Sequence, residues 1–145
     1  AMEYARELTT FMGGASVVGE AKSEYEFIEL IRTGFPAKVL KCVVRSSKLS
    51  EEVICSALRI ATRTAKRRQA TGSRLKASES ELIYRFSRVL VTATDVLGGL
   101  DKGREWTLTE NRVLGAALPI DHLDTGIGFD DVMELLGRIE HGVYS

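Results

Sequence analysis

The sequence predicts an all-α protein, and three observations support this fold class. Apolar residues recur at the 3.6-residue spacing of amphipathic helices along most of the chain. Serines followed by acids, and glycines further on, mark where these helices begin and end. No segment alternates apolar and polar residues for long enough to be a strand. The chain has 145 residues, 44% hydrophobic and 28% charged, which is ordinary globular composition and excludes a disordered chain.

The first part of the chain divides into a weakly patterned arm and two helices. Residues 1–22 contain scattered glycines and are expected to form a loose N-terminal arm. Ser23 and the acids after it predict a helix that ends at Gly34. Its apolar side is expected to contain Tyr25, Ile28 and Ile31, with Phe27 as a further candidate. Pro36 suits the first turn of the next helix, whose apolar residues are Val39, Leu40, Val43 and Val44.

Two shorter helices follow, separated by a break. Ser50, followed by acids, predicts the start of the first one. Its inner face is expected to comprise Ile54, Ala57 and Leu58. The break spans residues 59–61, and the second helix covers residues 62–69 before Gly72 ends that stretch.

The second half of the chain contains the longest predicted helix. Ser78 and Glu81 have the spacing of a capping box, and Gly98 closes the helix. Its apolar stripe comprises Leu82, Ile83, Phe86, Val89, Leu90, Ala93, Val96 and Leu97. A short segment around Trp106 comes next, and the last helix is expected to start near Asp130 and Asp131. Its buried side is expected to comprise Phe129, Val132, Met133, Leu136, Ile139 and Val143.

The sequence contains no recognisable catalytic or metal-binding motif. We therefore predict that the protein is not an enzyme and holds no cofactor or metal. Cys42 and Cys55 lack metal-ligand spacing and are expected to be small core residues. His122 and His141 are far apart, and no nucleophile elbow, zinc motif or phosphate loop occurs. No leader-like segment or apolar run of about 20 residues is evident. A soluble, cytoplasmic protein without a membrane partner is therefore expected.

The net charge of zero hides a strong segregation of charge along the chain. Residues 53–78 contain seven basic and no acidic side chains, whereas residues 100–145 contain nine acidic and four basic ones. A concentrated basic segment favours binding to nucleic-acid phosphates, and the alternative is a solvated helix face. The helix–break–helix arrangement is typical of a helix-turn-helix, whose second helix enters the major groove. The candidate DNA-binding residues are Thr62, Arg63, Thr64, Lys66, Arg67 and Arg68.

A series of spaced motifs resembles one known family. In the first half the matching residues are Leu49-Ser50-Glu51-Glu52, Leu58, Ile60, Arg63-Thr64 and Arg67-Arg68. In the second half they are Ser78-Glu79-Ser80-Glu81, Arg88-Val89-Leu90, Trp106, Asn111-Arg112-Val113-Leu114-Gly115, Pro119-Ile120 and Leu123-Asp124-Thr125. The ending over residues 135–144 is very typical of a toxin-binding domain. Together these motifs, over about residues 34–145, resemble the Xre/MbcA/ParS-type antitoxins of RES-domain toxins.

The resemblance implies a type II antitoxin built from an Xre-like helix-turn-helix domain at residues 23–76 and a toxin-binding domain at residues 77–145. Family members pair with RES-domain toxins, which attack NAD or use it to modify a target. They obstruct the toxin's active-site cleft and repress their own operon, and they have no catalytic residues. A homodimer is expected because helix-turn-helix proteins commonly read paired half-sites, with Leu82, Val91 and Ala93 as a candidate contact.

The tail supplies the candidate toxin-binding residues, which are Arg138, Glu140, His141, Gly142, Val143, Tyr144 and Ser145. An aromatic residue on a short extension freed by glycine can enter a cleft, with apolar area and a hydroxyl. The alternative is that Val143 and Tyr144 fold back onto the protein's own core. The resemblance favours insertion.

Four residues depart from the pattern of the family, and two of them bear on DNA binding. Arg59 stands in the turn where glycine is common, and Ala61 stands where serine precedes the recognition helix. Thr62 is then expected to cap that helix instead. The other two departures, Glu110 and Ala116, are expected to change only local loop shape. Two alternative functions stay open: a stand-alone transcription regulator, and a toxin-binding adaptor that has lost DNA binding.

Overall fold

The computed structural model describes residues 2–142, and within this range the chain folds into nine α-helices with no strand. The helices are α1 (Met2–Phe11), α2 (Ala15–Val18), α3 (Phe27–Thr33), α4 (Val39–Ser47), α5 (Glu51–Leu58), α6 (Thr62–Thr71), α7 (Ala77–Leu97), α8 (Leu100–Thr107) and α9 (Gly126–Glu140). Short 3-10 helices cover Glu24–Glu26, Arg112–Leu114 and Pro119–His122. The all-α prediction is confirmed. No helix in this range is long and apolar enough to cross a membrane.

The long helix α7 is the centre of the fold. It packs against α1, α3, α4, α5, α8 and α9, so that both halves of the chain share one apolar core. The predicted apolar stripe is confirmed at Ile83, Phe86 and Leu90, which are fully buried. Gly98 ends α7 in the left-handed conformation with φ 87°, as expected. The predicted start is wrong by two residues, because the capping residue is Lys76 and not Ser78. The Lys76 N–H donates to Glu79 Oε1 at 2.8 Å, and Ser78 lies inside the first turn.

The three residues predicted as a dimer contact on α7 all pack within the chain itself. Ala93 is fully buried and Val91 is 7% exposed. Leu82 is partly buried and packs against the same core. Since α7 is covered on several sides by other helices, its extra apolar positions are explained by that covering.

The N-terminal segment is not a loose arm, and this expectation was wrong. Helix α1 lies against α7 and α4, with Ala5, Leu8 and Met12 fully buried. The Tyr4 hydroxyl lies 2.9 Å from Thr92 Oγ1, within hydrogen-bonding distance. Spacings of three and four residues between the buried positions place them on one helix face. Ten residues followed by two glycines made this pattern too short to recognise in the sequence.

The helix predicted after Ser23 presents a different face from the expected one. Tyr25 is 83% exposed and Ile28 is 42% exposed, whereas Phe27 is buried and its ring lies 5.0 Å from that of Tyr84. The 3-10 helix Glu24–Glu26 shifts the side-chain register before α3 begins. Pro36 lies ahead of α4 rather than in its first turn and forms an isolated antiparallel bridge with Arg74.

Candidate functional site

Helices α5 and α6 form a helix-turn-helix, as predicted. Ser50 caps α5, because its Oγ accepts the Val53 N–H at 3.1 Å. The turn begins at Arg59, which has φ 58°, and the Ile60 N–H donates to Cys55 O at 2.9 Å. Leu58 and Ile60, on either side of Arg59, are buried and hold the turn against the core.

The start of α6 differs in one respect from the sequence prediction. Ala61 occupies the capping position with extended backbone and no side-chain cap, and Thr62 is the first helical residue. The expectation that Thr62 caps the helix is therefore wrong. The first turn of α6 therefore has no side-chain cap for its backbone N–H groups.

The six residues predicted for DNA binding divide into two groups in the structure. Arg63, Lys66 and Arg67 are exposed, and none of them pairs with an acidic residue between positions 2 and 142. Thr62 and Thr64 are half-buried beside them. These five side chains form one accessible surface on α6, which we call the α6 surface. Arginine and lysine here can donate to phosphate oxygens or to guanine edges.

Arg68 lies on the other side of α6 and has a structural contact. Its side chain is 17% exposed, and its Nε lies 3.1 Å from Glu79 Oε1 at the start of α7. Helical spacing explains this position, because Arg68 comes three residues after the buried Ala65. The charge pattern alone could not separate it from Arg67.

A second contact that the sequence reasoning missed holds α6 to α5. The Gln69 amide donates to Glu51 Oε1 at 3.2 Å and to Ala65 O at 3.1 Å. With the Arg68–Glu79 pair, it fixes α6 on its inner side while the α6 surface stays free.

The final helix begins earlier than predicted. Thr125 caps α9, because its Oγ1 accepts the Gly128 N–H at 3.0 Å, and the helix starts at Gly126. Asp130 and Asp131 therefore lie in the second turn rather than at the start. The expected buried side is confirmed for Val132 and Leu136, and the partly buried residues that pack against the core are Phe129, Met133 and Ile139.

The end of α9 is exposed where the toxin-binding residues were predicted. Glu140, His141 and Gly142 are exposed, and Gly142 has φ 75°. Arg138 is also exposed and pairs with Glu134 at 2.8 Å along the same helix. The other predicted residues, Val143, Tyr144 and Ser145, lie outside the described residues.

A small cavity beside α9 was not anticipated from the sequence. It measures about 200 Å³ and lies between α9 and the 3-10 helix Arg112–Leu114. Its lining comprises Val113, Leu114, Asp131, Glu134, Leu135 and Arg138. Val113 is 44% exposed, and Ile127 on the first turn of α9 is 81% exposed. Exposed apolar side chains beside carboxylates are suited to contact with another protein.

One ion pair connects the helix-turn-helix with the segment that leads into α9. Arg59 Nε lies 2.9 Å from Asp124 Oδ2, and α5 packs against the 3-10 helix Pro119–His122. The turn before α6 and the start of α9 are therefore direct neighbours.

The buried ionisable groups are suited to structure rather than to nucleophilic chemistry. Burial raises the pKa of the Cys55 thiol to about 11, so that it stays protonated at neutral pH. Burial also raises the pKa of the Tyr84 phenol to about 12. Residues 2–142 contain no cluster of three or more His, Cys, Asp or Glu side chains that could hold a metal ion.

Comparison with known proteins identifies both halves. Residues 26–88 match the Antitoxin Xre-like helix-turn-helix domain, and residues 92–142 match the Antitoxin Xre/MbcA/ParS C-terminal toxin-binding domain. A protein of Yersinia enterocolitica named Antitoxin Xre is 36% identical over 120 residues, covering 81% of this chain and 80% of the relative. An Antitoxin Xre of Photorhabdus laumondii is 35% identical over 117 residues, covering 80% and 79%. This chain belongs to the Xre antitoxin family and combines a helix-turn-helix domain with a toxin-binding domain.

Proposed function

We propose that this protein is a type II antitoxin that covers the active site of a cognate RES-domain, NAD-consuming toxin and represses their shared operon. The exposed end of α9 is the observation that carries the proposal. Leu135 and Leu136 anchor the helix in the core, whereas Glu140, His141 and Gly142 project from it. A rigid helix with a free polar end is suited to entering a cleft, because little entropy is lost in ordering it on binding.

In this proposal the antitoxin does no chemistry of its own. Arg138, Glu140 and His141 supply charges and hydrogen bonds at the mouth of the toxin's cleft. Tyr144, beyond the described residues, supplies apolar area and a hydroxyl inside it. The exposed Val113 and Ile127 extend the contact beside the helix. Because the antitoxin occupies this cleft, NAD cannot enter it.

Repression is proposed to use the α6 surface in the major groove. Arg63 and Arg67 can read guanine edges, while Lys66 contacts phosphate. A homodimer would present two copies of α6 to paired half-sites. Light scattering of the purified chain measures its mass directly, and a monomer at the concentration that binds DNA would contradict this part of the proposal.

Co-expression with the product of the neighbouring gene in its operon tests toxin binding. We expect a stable complex on size exclusion and a normal NAD level in the cells. Removal of residues 141–145 leaves the core contacts of α9 intact and is expected to weaken the complex by about tenfold or more, with a fall in NAD. Lys66→Ala is the matched control, because it alters only the α6 surface. A truncated chain that protects as well as the full chain would contradict the proposed occlusion.

A further inference from the structure

A row of four basic side chains runs along the solvent side of α4, outside the helix pair that carries the α6 surface. Lys38, Lys41, Arg45 and Lys48 are all exposed. Lys41 and Arg45 are four residues apart on one face of α4, and Lys38 and Lys48 are the capping residues at its two ends. The opposite face, with Val39, Leu40 and Val43, is buried in the core. We call the four basic residues the α4 stripe.

The charge of the α4 stripe is not compensated within the described part of the chain. No acidic residue occurs from Gly34 to Ser50, and none of the four cations forms an ion pair within residues 2–142. Like charges at these spacings destabilise a helix slightly. The helix dipole favours Arg45 and Lys48 at the end of α4 but disfavours Lys38 at its start. Helix stability therefore does not explain all four cations, whereas an anionic partner does.

The α4 stripe is joined at its start to the segment that leaves α6. The Leu75 N–H donates to Phe35 O at 2.8 Å, and the Ala37 N–H donates to Ser73 O at 3.2 Å. Lys38 follows directly and so lies beside the exposed residues after α6. Ser46, next to Arg45, does not face solvent in the same way, because its hydroxyl donates to Phe11 O at 2.7 Å. The start of the α4 stripe is therefore a direct neighbour of the segment that follows α6.

We propose that the α4 stripe is a second DNA-binding surface, which contacts backbone phosphates outside the base pairs that α6 reads. This inference rests on the DNA binding proposed above and extends it. Contacts from lysine and arginine to backbone phosphates carry no sequence information, and each contact releases condensed counterions. The stripe therefore adds affinity and salt dependence, while sequence preference stays with α6.

The double variant Lys41→Ala/Arg45→Ala tests the inference, since both side chains are exposed and their loss leaves the core intact. Binding is measured by fluorescence anisotropy at several salt concentrations. One duplex carries the DNA upstream of the protein's own gene, and a second of equal length carries random sequence. The control variant Lys22→Ala/Arg112→Ala removes the same charge from exposed positions outside both basic surfaces.

We expect the double variant to bind both duplexes more weakly by a similar factor. The slope of log affinity against log salt should become shallower by about two, because each phosphate contact contributes about 0.9. The control should keep the wild-type slope. An unchanged slope in the double variant would overturn the inference.

Three further outcomes separate this inference from the proposed function. If the wild type binds neither duplex, DNA binding itself is wrong and the inference falls with it. If the wild type binds its upstream DNA and Arg63→Ala/Arg67→Ala abolishes the preference, but the α4 variant behaves as wild type, only the α4 inference fails. If the α4 variant loses affinity for the toxin and keeps its DNA slope, the stripe serves an acidic protein surface and the inference is also overturned.

Discussion

Arg59 occupies a backbone conformation that glycine adopts most easily. Its φ of 58° places it in the left-handed region, which costs a residue with a Cβ about 1 kcal/mol. The side chain gains an ion pair with Asp124, but it is 80% exposed, and such pairs contribute little in water. Ala116 is likewise left-handed with φ 64°. Both turns therefore have a left-handed residue other than glycine.

We expect Arg59→Gly to be more stable than Arg59→Ala by about 1 kcal/mol. Both substitutions remove the ion pair, and only glycine relieves the backbone strain. Urea unfolding of the two variants measures the difference directly. Equal stabilities would show that the turn relaxes out of the left-handed conformation.

Glu7 on α1 is expected to weaken the fold at neutral pH. Desolvation, followed by a hydrogen bond and charge repulsion from Asp95, raises the pKa of Glu7 above its ordinary value of 4.5. A raised folded-state pKa stabilises the fold fully below pH about 4.5, and this stabilisation is lost as the pH rises through the folded-state pKa. Glu7→Gln should therefore raise Tm at pH 7 but not at pH 4.

Thermal unfolding of Glu7→Gln and wild type at both pH values checks this prediction. Glu20→Gln, which removes an exposed carboxylate outside the pair, is the charge-matched control. The same gain in Tm at both pH values would contradict the linkage.

At the scale of elements, the junction of α9 with the preceding 3-10 helix depends on a missing side chain. A Cβ at Gly128 would collide with the carbonyl oxygen of His122, which is backbone and cannot turn away. Nothing lies within 4 Å of a Cβ at Gly137, further along the same helix. Gly128 thus allows the first turn of α9 to press against the Pro119–His122 segment.

We expect Gly128→Ala to destabilise the protein by about 1–3 kcal/mol, because the neighbouring backbone must move. Gly137→Ala should instead stabilise it by about 0.5–1 kcal/mol, since alanine is the better helix former. Chemical unfolding of the two variants tests the contrast. Similar effects of both substitutions would mean that the junction is loosely packed.

The sequence predicted those elements whose determinants lie within a few neighbouring residues. Ser50 was identified as a cap because the serine and its acids lie within one turn of α5. The start of α9 was missed because Thr125 caps a helix that opens with glycines, while Asp130 and Asp131 gave a stronger but later signal. Helix α1 was missed because its stability comes from packing on α7, a contact between residues more than 80 positions apart. The burial of Arg68 likewise depends on Glu79 in another helix.

At the scale of the whole molecule, α7 unites the two halves that carry different functions. The helix-turn-helix match ends at residue 88 and the toxin-binding match begins at residue 92, both inside α7. Ile83 and Phe86 lie within the first match, Ala93 lies within the second and Leu90 lies between them, and all four belong to one continuous core. Neither half can lose α7 without exposing apolar surface.

The shared core predicts that both halves unfold in one cooperative transition. Trp106 in α8 is the single tryptophan of the chain, so its fluorescence reports on the toxin-binding half. Far-UV circular dichroism reports on helices throughout the chain. We expect the two signals to follow the same urea curve, with the same midpoint and slope, because a core shared through α7 leaves no half that is stable alone.

Leu90→Ala, which truncates a fully buried side chain of α7, should lower both midpoints together and cost about 2–5 kcal/mol. Separate midpoints for the two signals, or a shift in only one of them, would mean that the halves are independent and that α7 belongs to one of them.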